Sequence, residues 1–336
     1  IRNIALLGHG GCGKTTLTEA ALYTAKIVNR IGKVEDGNTI SDFDKEEIAR
    51  KISINTSVIP MEWEEHKINF IDTPGYFDFV GEVQSAIKVA GGLIILVDAT
   101  SGIEVGTEKA WEYAEDKKKP TFIFINKMDR ENANFEKVLN QLREKFGKKI
   151  APFQIPLGEK ESFVGNINVV KMLAKEYDGK TCVEKPIPED KMGEVTEIRD
   201  MLMESVAETD EELLEKYFNG EEFTQTEIQE GLRKGILNGD IVPVLCGATI
   251  KNIGIHSLLN MINDYSPSPA DMPPKQGKHP HKEEVVERTL EPNQPFSAQV
   301  FKTIVDPYMG KISIFKVISG FIKTDMEVLN ANKDQK

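Results

Sequence analysis

The chain has 336 residues, a net charge of −12 and 40% hydrophobic residues, which is enough for two domains and one sizeable core. No apolar run approaches the roughly 20 residues of a membrane helix, and no basic-then-apolar leader opens the chain, so neither a membrane protein nor a secreted one is expected. Cys12, Cys182 and Cys246 are too far apart for metal-ligand spacing, suggest no disulfide framework and fit a reducing cytoplasm, while the acidic balance argues against a dedicated nucleic-acid binder.

The first element is the apolar run NIALLGHG, read as a buried strand, which passes through GHGGCGKTT into a helix expected to start at Lys14. Gly8, Gly13, Lys14 and Thr15 match G-x-x-x-x-G-K-[ST], a phosphate-binding loop. Its glycines let backbone N–H groups turn around phosphate oxygens, the helix N-terminus adds its dipole, Lys14 brings a cation to the β- and γ-phosphates, and the Thr15 hydroxyl suits a magnesium ion. The candidate cradle is therefore Gly8, His9, Gly10, Gly11, Cys12, Gly13, Lys14, Thr15 and Thr16. Cys12 reads as a small filler residue, or alternatively as a thiol acidified by the helix N-terminus.

KINFIDTPG is a further strand, with SVIPMEWEE able to pair beside it. DTPG supplies Asp72, suited to the magnesium shell, and the Gly75 N–H, suited to sensing a γ-phosphate. LIILVDA and PTFIFINKMD are buried parallel strands, and helices are expected near Phe79, Val105 and Asn134. This alternation predicts a doubly wound α/β sheet. NKMD places the Asp129 carboxylate where it can accept from guanine N1–H and the exocyclic amine, a pair that adenine cannot match. Asn126 can donate to N7 and the Lys127 stem can cover the base. DIVPVLCGAT is another strand, and the backbone N–H groups of Gly247, Ala248 and Thr249 would close over the base.

Between Gly158 and Gly239 the rhythm breaks into short strands and then one long helix or two. Residues Glu184 to Gly231 hold 16 acidic and 4 basic residues, the whole of the charge imbalance. A helix around 194–217 would put Glu194, Glu197, Glu204, Glu208, Glu211 and Glu215 on one face and Val195, Ile198, Leu202 and Val206 on another. That acidic face is either a solvated surface or a dock for a basic partner. Residues 266–294, rich in Pro, Lys and Glu, read as a linker. The alternating stretch from Pro295, with turns at DPYMG and SG, reads as the start of an antiparallel β domain.

The ordered set GHGGCGKTT, DTPG, NKMD and CGAT resembles the translational GTPases, and the elongation factor G family in particular. QIPLGEKESFVGNINVVKMLA, DYSPSP and PFSAQVFKTIVDPYMGKISIFKVISG extend the resemblance over nearly the whole chain. It implies a P-loop GTPase domain with a mostly parallel doubly wound sheet over 1–157 and 240–268, and an inserted α+β subdomain over 158–239. A linker over 269–294 and the beginning of a β-barrel domain over 295–336 would follow. It further implies GTP/GDP and magnesium as ligands, ribosome-stimulated GTP hydrolysis in the cytoplasm, and a monomer that meets the ribosomal stalk protein through its acidic insertion. RNA contact would fall mainly to later domains, the chain being expected to be an N-terminal piece of something longer.

Four residues depart from the family pattern or bear on it. Gly11 stands where an aspartate helps hold a monovalent cation. The first switch region, EEIARKISINTS, has Lys51 in place of a glycine, while Ser53 keeps a hydroxyl for magnesium; this stretch otherwise reads as a mobile polar loop. Tyr76 replaces the histidine that orients the attacking water, and a phenol with a pKa near ~10 has no cationic form at neutral pH. The expected catalytic set is Tyr76, Lys14 and Gly75, with metal ligands Thr15, Ser53 and Asp72. Tyr76 also fits an elongation-factor-G-like class, and keeps open a GTP-dependent ribosome-binding switch or ribosomal-protection protein with very slow turnover.

Overall fold

The computed structural model describes Ile1 to Lys336 except residues 178–180, 280–281 and 307. Pro307 of the expected DPYMG turn, the DGK in the expected short-strand stretch and part of the expected linker lie outside the described residues. In chain order the first elements are β1 (Arg2–Gly8), α1 (Lys14–Thr24), α2 (Lys45–Arg50), β2 (Ser57–Trp63), β3 (His66–Asp72), α3 (Val80–Val89), β4 (Gly92–Asp98), α4 (Val105–Asp116), β5 (Thr121–Asn126), α5 (Phe135–Phe146) and β6 (Ile150–Pro152). They are followed by β7 (Gln154–Leu157), β8 (Gly165–Asn168), β9 (Leu173–Tyr177), β10 (Cys182–Lys185), α6 (Glu189–Ala207), α7 (Glu211–Phe218), α8 (Gln225–Asn238), β11 (Val242–Cys246) and α9 (Ile255–Tyr265).

Every residue of β4 and β5 is buried, which is why their sequences carry no alternation: strands covered on both faces read as continuous apolar runs. They belong to a seven-stranded sheet ordered β2-β3-β1-β4-β5-β11-β6, in which only β2 runs antiparallel. Helices α1 and α9 pack together, and α3 and α4 pack against β1. Each helix has a local reason to form where it does. Phe135, Val138, Leu139 and Leu142 make one buried stripe of α5, whose start is capped by the Asn134 side chain and whose end is Gly147.

The stretch from β7 to α8 builds a four-stranded antiparallel sheet, β10-β9-β8-β7, with α6, α7 and α8. The expected helix over 194–217 is two helices. Asp210 accepts from the Glu212 N–H and starts α7, so the chain breaks after Ala207 and the six glutamates do not share one continuous face. The apolar side is as expected, with Val195, Ile198, Leu202 and Val206 all buried.

The chain divides into two compact units, Ile1–Ser266 and Pro267–Lys336. The second holds two antiparallel ladders, β12 (Lys275–Lys278) with β13 (Val285–Arg288), and β14 (Ser297–Asp306) with β15 (Gly310–Ser319). The first ladder lies in the stretch expected to be a linker: backbone pairing there overrides a Pro-, Lys- and Glu-rich composition.

The stretch expected as a mobile polar loop before β2 contains a short helix. Asp44 and Glu47 form a capping box around the start of α2, and the helix stops at Lys51 in the left-handed conformation, φ 56°. Lys51 thus keeps the backbone shape a glycine would take, at a strain of about 1 kcal/mol. Lys51→Gly should leave stability unchanged or slightly raised, because relief of strain is offset by chain entropy. Lys51→Val, whose β-branch tolerates this conformation poorly, should be less stable than Lys51→Gly by about 1–2 kcal/mol. Urea unfolding of the two variants measures the difference.

Candidate functional site

Strand β1 lies between β3 and β4, where the winding of the sheet reverses, so the loop leaving its carboxyl end opens into a crevice. Gly8, Gly11 and Gly13 have φ of 139°, 81° and 104°, values that turn the backbone tightly just before α1. The Lys14 ammonium lies inside this turn, 3.0 Å from the carbonyls of both Gly8 and His9. Thr15 is buried and Thr16 half-buried in the first turn of α1. Gly11 is exposed, with open space where a side chain would stand.

The His9 side chain reaches the start of α4. Its Nδ1 accepts from the Gly106 N–H at 3.3 Å and its Nε2 lies 3.6 Å from Glu104, which ties the loop to the start of α4. Cys12 is 1% exposed, and burial pushes its thiol above the ordinary range despite the pull of Lys14. Both observations favour the buried-filler reading of Cys12 over the acidified thiol.

The three expected metal ligands converge. Thr15 Oγ1 and Ser53 Oγ are 3.0 Å apart. Asp72 is 2% exposed, and among the described residues neither of its oxygens has a hydrogen-bond partner. Burial, reinforced by Asp42, pushes its carboxyl up to about 7; Lys14 opposes this, as do the Ser41 and Thr15 hydroxyls, which lie near it without hydrogen-bond geometry. Asp42 is itself buried, with its pKa raised mainly by that burial and one oxygen left without a partner. Two carboxylates and several hydroxyls are hard oxygen donors that suit magnesium. Among the described residues there is no cluster of three or more His, Cys, Asp or Glu side chains of the kind a softer metal would use. The residues present therefore fit a magnesium ion.

Gly75 closes onto the phosphate loop. A Cβ there would lie 2.6 Å from Lys14 Nζ and 2.9 Å from the Gly10 nitrogen, so only glycine permits this approach. The Tyr76 ring lies over Gly10, whose Cβ position would be 3.2 Å from Tyr76 Cζ, and the side chain is 47% exposed.

Asn126 is fully buried and donates to the Cys12 carbonyl at 2.9 Å and to Thr249 Oγ1 at 3.2 Å, while its oxygen accepts the Thr249 N–H. It braces the phosphate loop against the 246–249 loop. The amides of Gly247, Ala248 and Thr249 donate to Ile125, Ile253 and Asn126, so they hold the loop's shape. Lys127 pairs with Asp98 at 2.5 Å; burial raises the Asp98 carboxyl, but the bonds from Lys127 and Thr100 outweigh it and hold the pKa below the ordinary value. The Asp129 carboxylate lies 3.8 Å from the Lys251 ammonium. A wider cleft of about 740 Å³ lies at the opposite end of β1, but Arg2 and Arg233 there cap the carbonyls of Asn263 and Asp264 at the end of α9.

Residues 1–268 match the family described as the elongation factor Tu GTP binding domain. The chain belongs to this family. It carries the GTP-binding domain of a translational GTPase, and its fold is similar to a crystal structure from Thermus thermophilus, at 34% sequence identity and a TM-score of 0.83. That similarity covers 95% of this chain and 46% of the other, so the chain spans less than half the length of the protein it matches.

Sequence reasoning missed the carboxylates that shape this GTP-binding domain. Glu19 accepts the amides of Gly32 and Ile40, Glu47 accepts those of Asp44, Ile54 and Asn55, and Glu82 accepts that of Thr56. Asp42, beside Asp72, was missed as well. The one sequence signal was the D-x-x-E capping box around Asp44 and Glu47.

The raised Asp72 carboxyl makes stability depend on pH. Between its ordinary 3.8 and about 7, the folded protein holds a proton that the unfolded chain releases. Stability in the presence of a chelator should therefore fall as pH rises from about 4 through 7. Asp72→Asn should flatten that slope, as read from urea midpoints at several pH values.

Proposed function

We propose that the chain is the GTP-hydrolysing part of an elongation-factor-G-like protein that acts on the ribosome, in translocation or a related step. The observation that carries this reading is the convergence of Lys14, Thr15, Ser53 and the unpartnered Asp72 beside a glycine loop at a helix start. In this reading the amides from Gly8 to Gly13 and the Lys14 ammonium hold the β- and γ-phosphate oxygens. Thr15, Ser53 and Asp72 hold magnesium, which when bound supplies positive charge to the same oxygens. The Gly75 N–H reaches the γ-phosphate, and the Tyr76 hydroxyl orients the attacking water. The water oxygen bonds to the γ-phosphorus as the bond to the β–γ bridging oxygen breaks, leaving GDP and phosphate.

Asp129 chooses the base, its carboxylate accepting from guanine N1–H and the exocyclic amine, with Asn126, Gly247, Ala248 and Thr249 keeping that wall in place. Residues 1–157 and 240–268 form the nucleotide-binding domain and 158–239 its insertion. The acidic surface of α6 and α7 docks a basic partner, in this family the ribosomal stalk protein. A cytoplasmic monomer fits the reading. Tyr76 favours a second reading, a GTP-dependent ribosome-binding or ribosomal-protection switch with very slow turnover, because a neutral phenol adds no charge to the transition state.

Two measurements test these readings. Equilibrium binding in magnesium buffer should show GTP and GDP held at least about a hundredfold more tightly than ATP, and Asp129→Ala should remove most of that preference, by about 2–3 kcal/mol. ATP held as well as GTP would exclude the assignment. Single-turnover hydrolysis with and without ribosomes should be slow, and Tyr76→His should raise the ribosome-stimulated rate about tenfold or more. Equal rates would remove Tyr76 as the limiting residue.

A further inference from the structure

Two segments approach the candidate phosphate site from different parts of the chain. One runs through Ser53, whose hydroxyl meets Thr15, and enters β2 at Ser57. The other leaves β3 at Asp72, passes Gly75 and Tyr76 and enters α3 at Val80. Ser57 and Asp72 are paired across β2 and β3, so the segments share a root but diverge above it. Above that root a side chain joins them: Glu82, in the first turn of α3, accepts the Thr56 N–H at 2.7 Å.

Thr56 is 4% exposed, so its amide sits where water cannot replace a lost partner, and a buried orphan donor is costly. Glu82 is well placed to keep that partner. The N-terminal end of α3 favours a negative charge, and a charged acceptor makes a stronger bond than a neutral one. Thr56 is three positions after Ser53, and Glu82 is seven positions after Gly75. The bond therefore closes a short loop through the two positions that would respond to a third phosphate.

We propose that Glu82 is a positioning residue that couples the Ser53 segment to the Gly75–Tyr76 segment through the Thr56 amide, and thereby sets how strongly the protein discriminates GTP from GDP. The proposal rests on the nucleotide-site reading above. GDP is held by the phosphate loop and the base contact, and has no γ-phosphate for Gly75 to meet. Loss of the coupling therefore weakens the triphosphate complex selectively.

The test is calorimetric binding of GDP and of a slowly hydrolysed GTP analogue in magnesium, using the full chain and Glu82→Ala, Glu82→Gln and Glu82→Asp. Glu82→Ala should weaken the analogue about ten- to hundredfold and leave GDP within about twofold. Glu82→Gln, whose amide oxygen can accept the same N–H, should recover most of the affinity. Glu82→Asp, with its oxygens drawn back by one methylene, should give an intermediate loss and provides a measurable variant should Glu82→Ala not fold. Equal weakening of both nucleotides, no weakening, or no recovery by Glu82→Gln overturns the proposal. Wild-type protein that binds neither nucleotide would instead overturn the nucleotide-site reading, before any variant is compared.

Discussion

A carboxylate held out of water with nothing bonded to it is a costly arrangement, and the structure is organised around one. Asp72 ends β3, where the parallel pairing with β1 and the antiparallel pairing with β2 fix its backbone from both sides. The next residue is also held, Thr73 donating its hydroxyl to the Leu6 carbonyl. The side chain cannot swing out to water without disturbing that pairing. Its desolvation must be relieved by a proton or a cation. Lys14 is one nearby positive charge, and the surrounding oxygen donors are arranged so that a magnesium ion can be another. The rigidity of the sheet holds this strain in place.

Around this point, charge takes over work that apolar packing does elsewhere. The loop from Gly32 to Thr56 buries few large side chains, and both Ile40 and Phe43 are exposed. Its backbone is held by carboxylates from α1, α2 and α3, each collecting amides that would otherwise be orphaned. Such bonds are directional and few, so the loop has a defined shape while little apolar surface anchors it. Segments with that balance belong to the low-stability end of a protein and can rearrange without unfolding the core. The Asn126 brace is the opposite case: three hydrogen bonds at a fully buried side chain lock the phosphate loop to the 246–249 loop.

The parts of the fold and site that could be read from sequence were those whose cause is local. The phosphate loop needs glycines, a lysine and a hydroxyl close together in the chain, and the buried strands announce themselves by unbroken apolar runs. Glu19 and Asp42 gave no such sign, because their partners lie many residues away and a lone carboxylate looks like any solvated one. Asn126 was found by its motif, but the direction of its hydrogen bonds depends on two loops meeting in space. The division between α6 and α7 turns on the three residues Glu208 to Asp210, where a capping aspartate outweighs the continuous helical pattern.

Strand order carries a consequence for how the chain assembles during synthesis. β11 lies between β5 and β6, and among the described residues β6 pairs with no other strand of that sheet. Pro152, the last residue of β6, and Val242, the first of β11, are 90 positions apart. At a translation speed of roughly 5–20 residues per second, β6 must wait several seconds for β11. During that interval β5 presents an unpaired edge on a wholly buried strand. The insertion between them emerges in the meantime with its own small sheet and helices, so it can fold beside the nascent edge before β11 threads into place. The sheet therefore stays open until β11 has emerged, and closes only after it.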